Sequence, residues 1–422
     1  MFRALVKNDQ VQGGFAPRKL RNCDESQRKD DEMKINRVEI IPVDIPYKIP
    51  FRVSYGGTTT GNQIILRILT DEGVDGVGSS IGFGKIGLSR ESAMIQMKSI
   101  ASGLLLGQDP LNTEAILSRL DVVLPGNWRV KTHFDYALYD LKGKILDVPV
   151  YQMLGGLCRE KIPLEWIVMM GDPEVQAEMA VKYLDAGFHS IKMHVGGDPQ
   201  LAVKRFETVR KAVGSDIPIA VDMASVIGTV SHWNAHDALR LIEELDKYNL
   251  QYAEQPVTTH DIDGFKAIKR RTNVPLAADA SAESVGEAYN MIKQDAADIF
   301  HALMGRIGGI RKTLRYANLI DAANLDYAIC VLGNGIEHAA GAHFAVSRAK
   351  RERILDELGL IFYLYGGTET KDITRDVTKE INGKIEKGYL YPPKGPGLGI
   401  ELNQDMVDRY LAPDVNKIVV QE

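Results

Sequence analysis

Between Lys161 and Tyr365 the chain repeats one beat, a short apolar run followed by a longer amphipathic stretch. The runs are PLEWIVMM, HSIKMHV, IPIAVDMA, LQYAEQPV, VPLAADAS, ADIFHALM, DYAICVLG and GLIFYLY. Each is too short for a helix and apolar on both faces, so each reads as a strand that must be covered on both sides. The stretches between them, such as PQLAVKRFETVRKAV, AHDALRLIEELDKY and IRKTLRYANLIDAA, space apolar residues three and four apart, as one helix face requires. Eight such strands with intervening helices are what a parallel (β/α) barrel needs. An open doubly wound sheet competes, but it should carry a GxGxxG turn after a strand, and none is present. GSSIGFGK resembles a phosphate loop only superficially: Ser79 stands where its first Gly should be, and Ile86 where Ser or Thr belongs.

The rest of the chain frames this unit. At 422 residues and 45% hydrophobic it can bury more than one core. Residues 1–32 are polar, charged and aperiodic, and are expected to form a mobile extension. From residue 33 to about 157, strands (INRVEIIPVDI, NQIILRILTDEG, DGVGSSIGFG) precede a block of helices, an α+β pattern. No run approaches the roughly 18 apolar residues of a membrane span, and MFRALVKNDQ lacks a signal-like apolar region. Net charge is -5 with scattered Lys and Arg, so neither nucleic acid nor a membrane surface is expected as partner. Three cysteines, Cys23, Cys158 and Cys330, without CxxC spacing suit a reducing, cytoplasmic setting.

In a barrel, chemistry gathers at the C-terminal strand ends. There stand Lys192 and His194, then Asp222, Glu254 and Asp279 on the next three strands. Each acid could instead cap the helix that follows, a role Glu254 before Gln255-Pro256 suits least. Three converging carboxylates repel unless a cation neutralises them, and a hard ion such as Mg²⁺, or Mn²⁺ in its place, fits. Lys192 and His194, two apart on a strand, face the same way and offer two bases. A small carboxylic acid held by the cation would lose its α-proton to one of them.

These residues carry a family resemblance. Ala137 to Gly156 (ALYDLKGKILDVPVYQMLGG), the Lys192 strand, the Asp222, Glu254-Gln255-Pro256 and Asp279 series, IGGI at Ile307 to Ile310, and PPKGPGLGIEL at Pro392 to Leu402 resemble the enolase superfamily. The likeness is to its mandelate racemase and muconate lactonising enzyme branch, from about Lys34 to Leu411. It implies a modified (β/α)₇β barrel over about 158–384, and an N-terminal α+β capping domain over 33–157 completed by about 385–422. It also implies Mg²⁺ on Asp222, Glu254 and Asp279, abstraction of a proton α to a carboxylate, and homo-oligomers. Tyr55, in the loop that closes over the substrate, and Asn334, after the seventh strand, are expected to contact it.

The departures shape the expected reaction. The second Lys of the family's Lys-x-Lys strand is His194 here, the Lys of the sixth strand is Leu303, and the Glu of the seventh aligns with Gly333. Racemisation needs bases on two faces, whereas elimination needs one cluster. The favoured expectation is therefore a lyase, a dehydratase of a hydroxy or cyclic acid, with His194 as base or acid and Lys192 assisting. A cycloisomerase, a racemase or epimerase, and a silent carboxylate-binding relative are the alternatives. His301 is expected to be a packed core histidine, and Glu337 and His338 to be structural.

Overall fold

The computed structural model describes residues 33–53, 56–80, 82, 89–223, 233–349, 354–359, 376–378 and 385–422. The extension 1–32 and Tyr55 lie outside them.

The first unit is a four-stranded antiparallel sheet. Its strands are β1 (Ile35–Val53), β2 (Gly56–Thr70) and β3 (Asp75–Ser79), with β14 (Ile418–Gln421) arriving from the C-terminal end, in the order β14-β1-β2-β3. Helices α1 (Arg90–Ile100), α2 (Thr113–Val123) and α3 (Trp128–Ile145) bury their apolar faces on it with Ile40, Leu66, Ile68, Met97 and Phe134 in a shared core. The glycines of DGVGS have a packing reason. A Cβ at Gly76 would lie 2.2 Å from the Ala137 carbonyl and one at Gly78 1.9 Å from that of His133, so α3 runs directly against β3. Asp140 of α3 accepts from the amides of Val77 and Leu398, at 2.9 and 2.8 Å.

The second unit begins after α4 (Val150–Met153) and the short strand β4 (Ile162–Pro163). Seven parallel strands follow: β5 (Glu165–Val168), β6 (Ser190–His194), β7 (Ile219–Asp222), β8 (Leu250–Glu254), β9 (Leu276–Ala278), β10 (Ile299–Leu303) and β11 (Asp326–Cys330). Their sequential order in one sheet is that of a barrel. Between them lie α5 (Pro173–Asp185), α6 (Pro199–Val213), α7 (Ala235–Asp246), α8 (Ile262–Lys269), α9 (Val285–Lys293), the single turn α10 (Met304–Ile307) and α11 (Ile310–Ala322), and α12 (Gly335–Val346) follows β11. Asp172-Pro173 and Asp198-Pro199 open α5 and α6 with an N-cap and a proline at the first helical position.

Two residues close the ring. Asp356 and Glu357 bridge Leu164 and Cys330 in parallel, in the eighth place; residues 360–365 of the GLIFYLY run lie outside the described residues. Glu357 N–H donates to the Ile329 carbonyl at 2.8 Å, and the Asp356 side chain takes the Ile329 N–H at 2.9 Å and an Arg159 N–H at 2.9 Å. The C-terminal segment also divides. The hairpin β12 (Ile385–Glu386) and β13 (Tyr389–Leu390) pairs with β4, whereas Leu411, bridged to Val43, and β14 join the first sheet.

Candidate active site

A small buried cluster, Ala220, Tyr252, Ala277, Ile299, Ala328 and Ile354, marks one end of the barrel interior. Two residues further along five of those strands, on the same face, stand Asp222, Glu254, Asp279, His301 and Cys330. The small alanines below leave room for the polar groups above. Register brings the ends together: His194 pairs with Asp222, Asp222 with Glu254, and Glu254 with Ala277, two residues before Asp279.

Lys192 and His194 both face this interior, as their spacing requires, but they differ in state. The Lys192 ammonium lies 2.7 Å from Glu254 Oε2 and 2.5 Å from Glu357 Oε1. Burial pulls its pKa down, yet the attraction of Glu254 and Glu357, with Cys330 and Asp222 behind them, holds it well above the ordinary lysine value. His194 moves the other way. Burial lowers it and outweighs Asp222, whose Oδ2 is 3.4 Å from its Nδ1. Lys192 is therefore a fixed cation and His194 a neutral imidazole at neutral pH.

The carboxylates share one buried neighbourhood. Burial and the charges of Asp222 and Glu357 push Glu254 up to about 8, against the pull of His301 and Lys192. Like charges crowded in a buried place are what a cation relieves, and three oxygen donors on adjacent strand ends fit a hard divalent ion. Among the described residues, the donors that already lie within 4.8 Å of one another are a different set, His301, Cys330 and Glu357. Glu254 is turned towards Lys192, and Asp279 Oδ2 lies 3.6 Å from Arg306, which also donates to Glu283 at 2.7 Å.

Gln255 positions the third acid. Its side-chain oxygen accepts from the amides of Asp279 and Ser281, at 3.3 and 3.1 Å, and its Nε2 donates to the Val257 carbonyl and Ser281 Oγ, both at 2.8 Å. A left-handed φ of 43° at Gln255, unusual for a side-chain-bearing residue, turns the chain so that the amide reaches these groups.

The structure also places four further residues singled out in the sequence, Asn334, His301, Glu337 and His338. Asn334 is fully buried; its Nδ2 donates to Gln63 and Ser79 of the first sheet, both at 2.9 Å, and its Oδ1 caps α12 by accepting from Ile336 N–H. The bonds to Gln63 and Ser79 join the two units. His301 is buried, but among charges: its ring lies 3.5 Å from Glu254 and 3.1 Å from Glu357, and against the cost of burial these carboxylates raise it to about 9. Glu337 and His338 are fully buried.

Glu357, Glu165 and Tyr252 were not picked out in the sequence. Glu165 accepts from Tyr252 and Ser190, at 2.8 and 2.9 Å, beside the Lys192 network. Their signal was present: Glu165 is the one charge inside PLEWIVMM, and Tyr252 shares the inward parity of Glu254.

Comparison with known proteins agrees with this architecture. The family model described as "Mandelate racemase / muconate lactonizing enzyme, N-terminal domain" matches residues 35–155, and "Enolase C-terminal domain-like" matches 175–406. An N-succinyl-L-Arg/Lys racemase of Bacillus cereus is 32% identical over 379 residues, 88% of this chain and 96% of that protein. A chloromuconate cycloisomerase of Cupriavidus necator is 26% identical over 384 residues, 90% of this chain and 99% of its own. The crystal structure of a dipeptide epimerase from Cytophaga hutchinsonii, complexed with Mg and D-Ala-L-Val, superposes with a TM-score of 0.80 at 26% identity, covering 92% of this chain and all of that one. These names are isomerases, and the dehydration expected from the sequence has no counterpart among them. The barrel, its α+β cap and both family models place the chain in the mandelate racemase and muconate lactonizing enzyme branch of the enolase superfamily.

Proposed function

We propose that this protein is an isomerase of small carboxylic acids that removes the proton α to the carboxylate from one face, with His194 as base and Lys192 as a fixed cation. The asymmetry of the barrel carries the reading. Lys192 and His194 end β6, whereas β10, four places away in the eight-place ring and therefore across from it, ends in the apolar Leu303.

Asp222, Glu254 and Asp279 would hold Mg²⁺ or Mn²⁺, which when bound supplies positive charge to the substrate carboxylate and acidifies the neighbouring C–H. His194, neutral and at the rim, accepts the proton, and its position beside Asp222 stabilises the imidazolium that forms. Lys192 keeps its own proton and stabilises negative charge as it develops on the substrate. With no base at Leu303, the proton returns to the face it left, or the electron pair forms a C=C bond as the β C–O bond of a lactone breaks and its oxygen leaves as a carboxylate, with the proton held on His194. Run in reverse this is ring closure, cycloisomerase-type chemistry rather than racemisation. Assembly as a homo-oligomer is part of this reading, and light scattering would measure it.

A panel of N-acyl amino acids, dipeptides and lactones, incubated with the protein and Mg²⁺ in D₂O, tests the reading by NMR. The expected result is deuterium at the α-carbon of one enantiomer, without its mirror image. Accumulation of both enantiomers would establish a second base and overturn one-sided chemistry.

A further inference from the structure

Lys192 is shared between two carboxylates that stand differently. In the ring of eight places, β6 is two from β8, which carries Glu254, and two from the closing residues 356–357. The ammonium reaches both ways, 2.7 Å to Glu254 Oε2 and 2.5 Å to Glu357 Oε1. Glu357 is the firmly held partner. Its backbone N–H donates to the Ile329 carbonyl at 2.8 Å, its Oε2 accepts from the Cys330 thiol at 3.2 Å, and its Oε1 faces His301 Nδ1 at 3.1 Å. Burial alone would raise its carboxyl, but the charges of Lys192 and His301 hold it below the ordinary carboxylate range, whereas burial pushes Glu254 up. Glu254 is also wanted twice, by the ammonium and by the cation of the reading above.

We propose, resting on that reading of Glu254 as a ligand, that Glu357 is a positioning residue for cation binding: it holds the Lys192 ammonium as its own counter-ion and so frees Glu254 for Mg²⁺. Buried opposite charges at these distances attract strongly, and one carboxylate cannot serve an ammonium and a divalent ion at full strength. With Glu357 charged, Lys192 keeps an adjacent counter-ion when Glu254 turns to the cation. Without it, the ammonium leans on Glu254, and giving up that carboxylate would leave a buried charge without an adjacent partner.

Calorimetric titration of the full-length protein with Mg²⁺ reads this directly, independently of turnover. Glu357→Gln should weaken Mg²⁺ binding about 10–100-fold, although Glu357 is not one of the three proposed ligands. In Lys192→Met the ammonium is gone, so adding Glu357→Gln should leave the affinity as it was. Unchanged affinity in Glu357→Gln overturns the proposal. So does an equal loss in the Lys192→Met background, which would make Glu357 a ligand or a purely structural support. Circular dichroism checks the fold of each variant. If Glu357→Gln fails to fold, Glu357→Asp, which keeps the charge but shortens the reach, carries the test: it should show a smaller loss that again vanishes with Lys192→Met, and no loss overturns the proposal. Asp222→Asn separates the two levels, because Mg²⁺ binding that it leaves intact would overturn the ligand assignment and the proposal with it.

Discussion

Lys192 Nζ sits between Glu254 Oε2 at 2.7 Å and Glu357 Oε1 at 2.5 Å, so one ammonium ties the second strand of the barrel to the fourth and the eighth. Burial makes this pairing obligatory in both directions. Replacing Lys192 with Met leaves two carboxylates uncompensated. The variant should lose roughly 3–5 kcal/mol of stability, read as a lower urea midpoint, and lose α-proton exchange as well.

His194 should control the pH profile. Its pKa is held below the ordinary value of 6.5, chiefly by burial, so the base is neutral at pH 6.5 and above and takes up its proton only at lower pH. Exchange should rise with pH along a limb below about 6.5 and then level off. In His194→Ala the rate should fall about 10²–10⁴-fold, with the limb gone from what remains.

Gln255 acts on the proposed cation through Asp279. In Gln255→Ala the backbone of residues 279–281 loses its side-chain support. Affinity for Mg²⁺ should drop about 10–100-fold, measured as the Mg²⁺ dependence of exchange, with saturated activity reduced less.

Asn334 offers a contrast. Asn334→Ala removes the bonds to Gln63 and Ser79 and the cap of α12. A loss of roughly 1–3 kcal/mol is expected, seen as a lower Tm, with KM unchanged. A raised KM at unchanged Tm would make it a substrate contact.

Glu337 supplies a pH-dependent stability term. Burial raises its carboxyl to about 7, against the hydrogen bonds of Ser80 and Gly333 and the charge of Arg129. The folded state therefore binds its proton more tightly than the unfolded state does. That stability is present at low pH and is lost as pH rises from about 4.5 to about 7, by roughly 3 kcal/mol at most. Relative to the unaltered protein, Glu337→Gln should gain stability between pH 5 and pH 8 in chemical denaturation.

Much of the barrel and half of its site were legible in the linear chain. The alternation of both-faces-apolar runs with amphipathic stretches specifies parallel strands covered by helices, because no other arrangement buries both faces. Strand parity is equally local: Lys192 and His194 must share a face, and Asp222, Glu254 and Asp279 each follow the small or aromatic residue that points inward below them.

What stayed illegible depends on register between distant segments. Glu357 enters the site because residues 356–357 slot between Cys330 and Leu164, held by backbone pairing with both neighbours. Asn334 turns towards Gln63 and Ser79, more than 250 residues earlier, and only docking of the two units makes those partners available. The protonation states of Lys192 and His194 were likewise undetermined. The sequence determined which side chains enter the barrel; the tertiary structure decided their charges and partners, since both follow from burial and from distances the chain sets only when the ring closes.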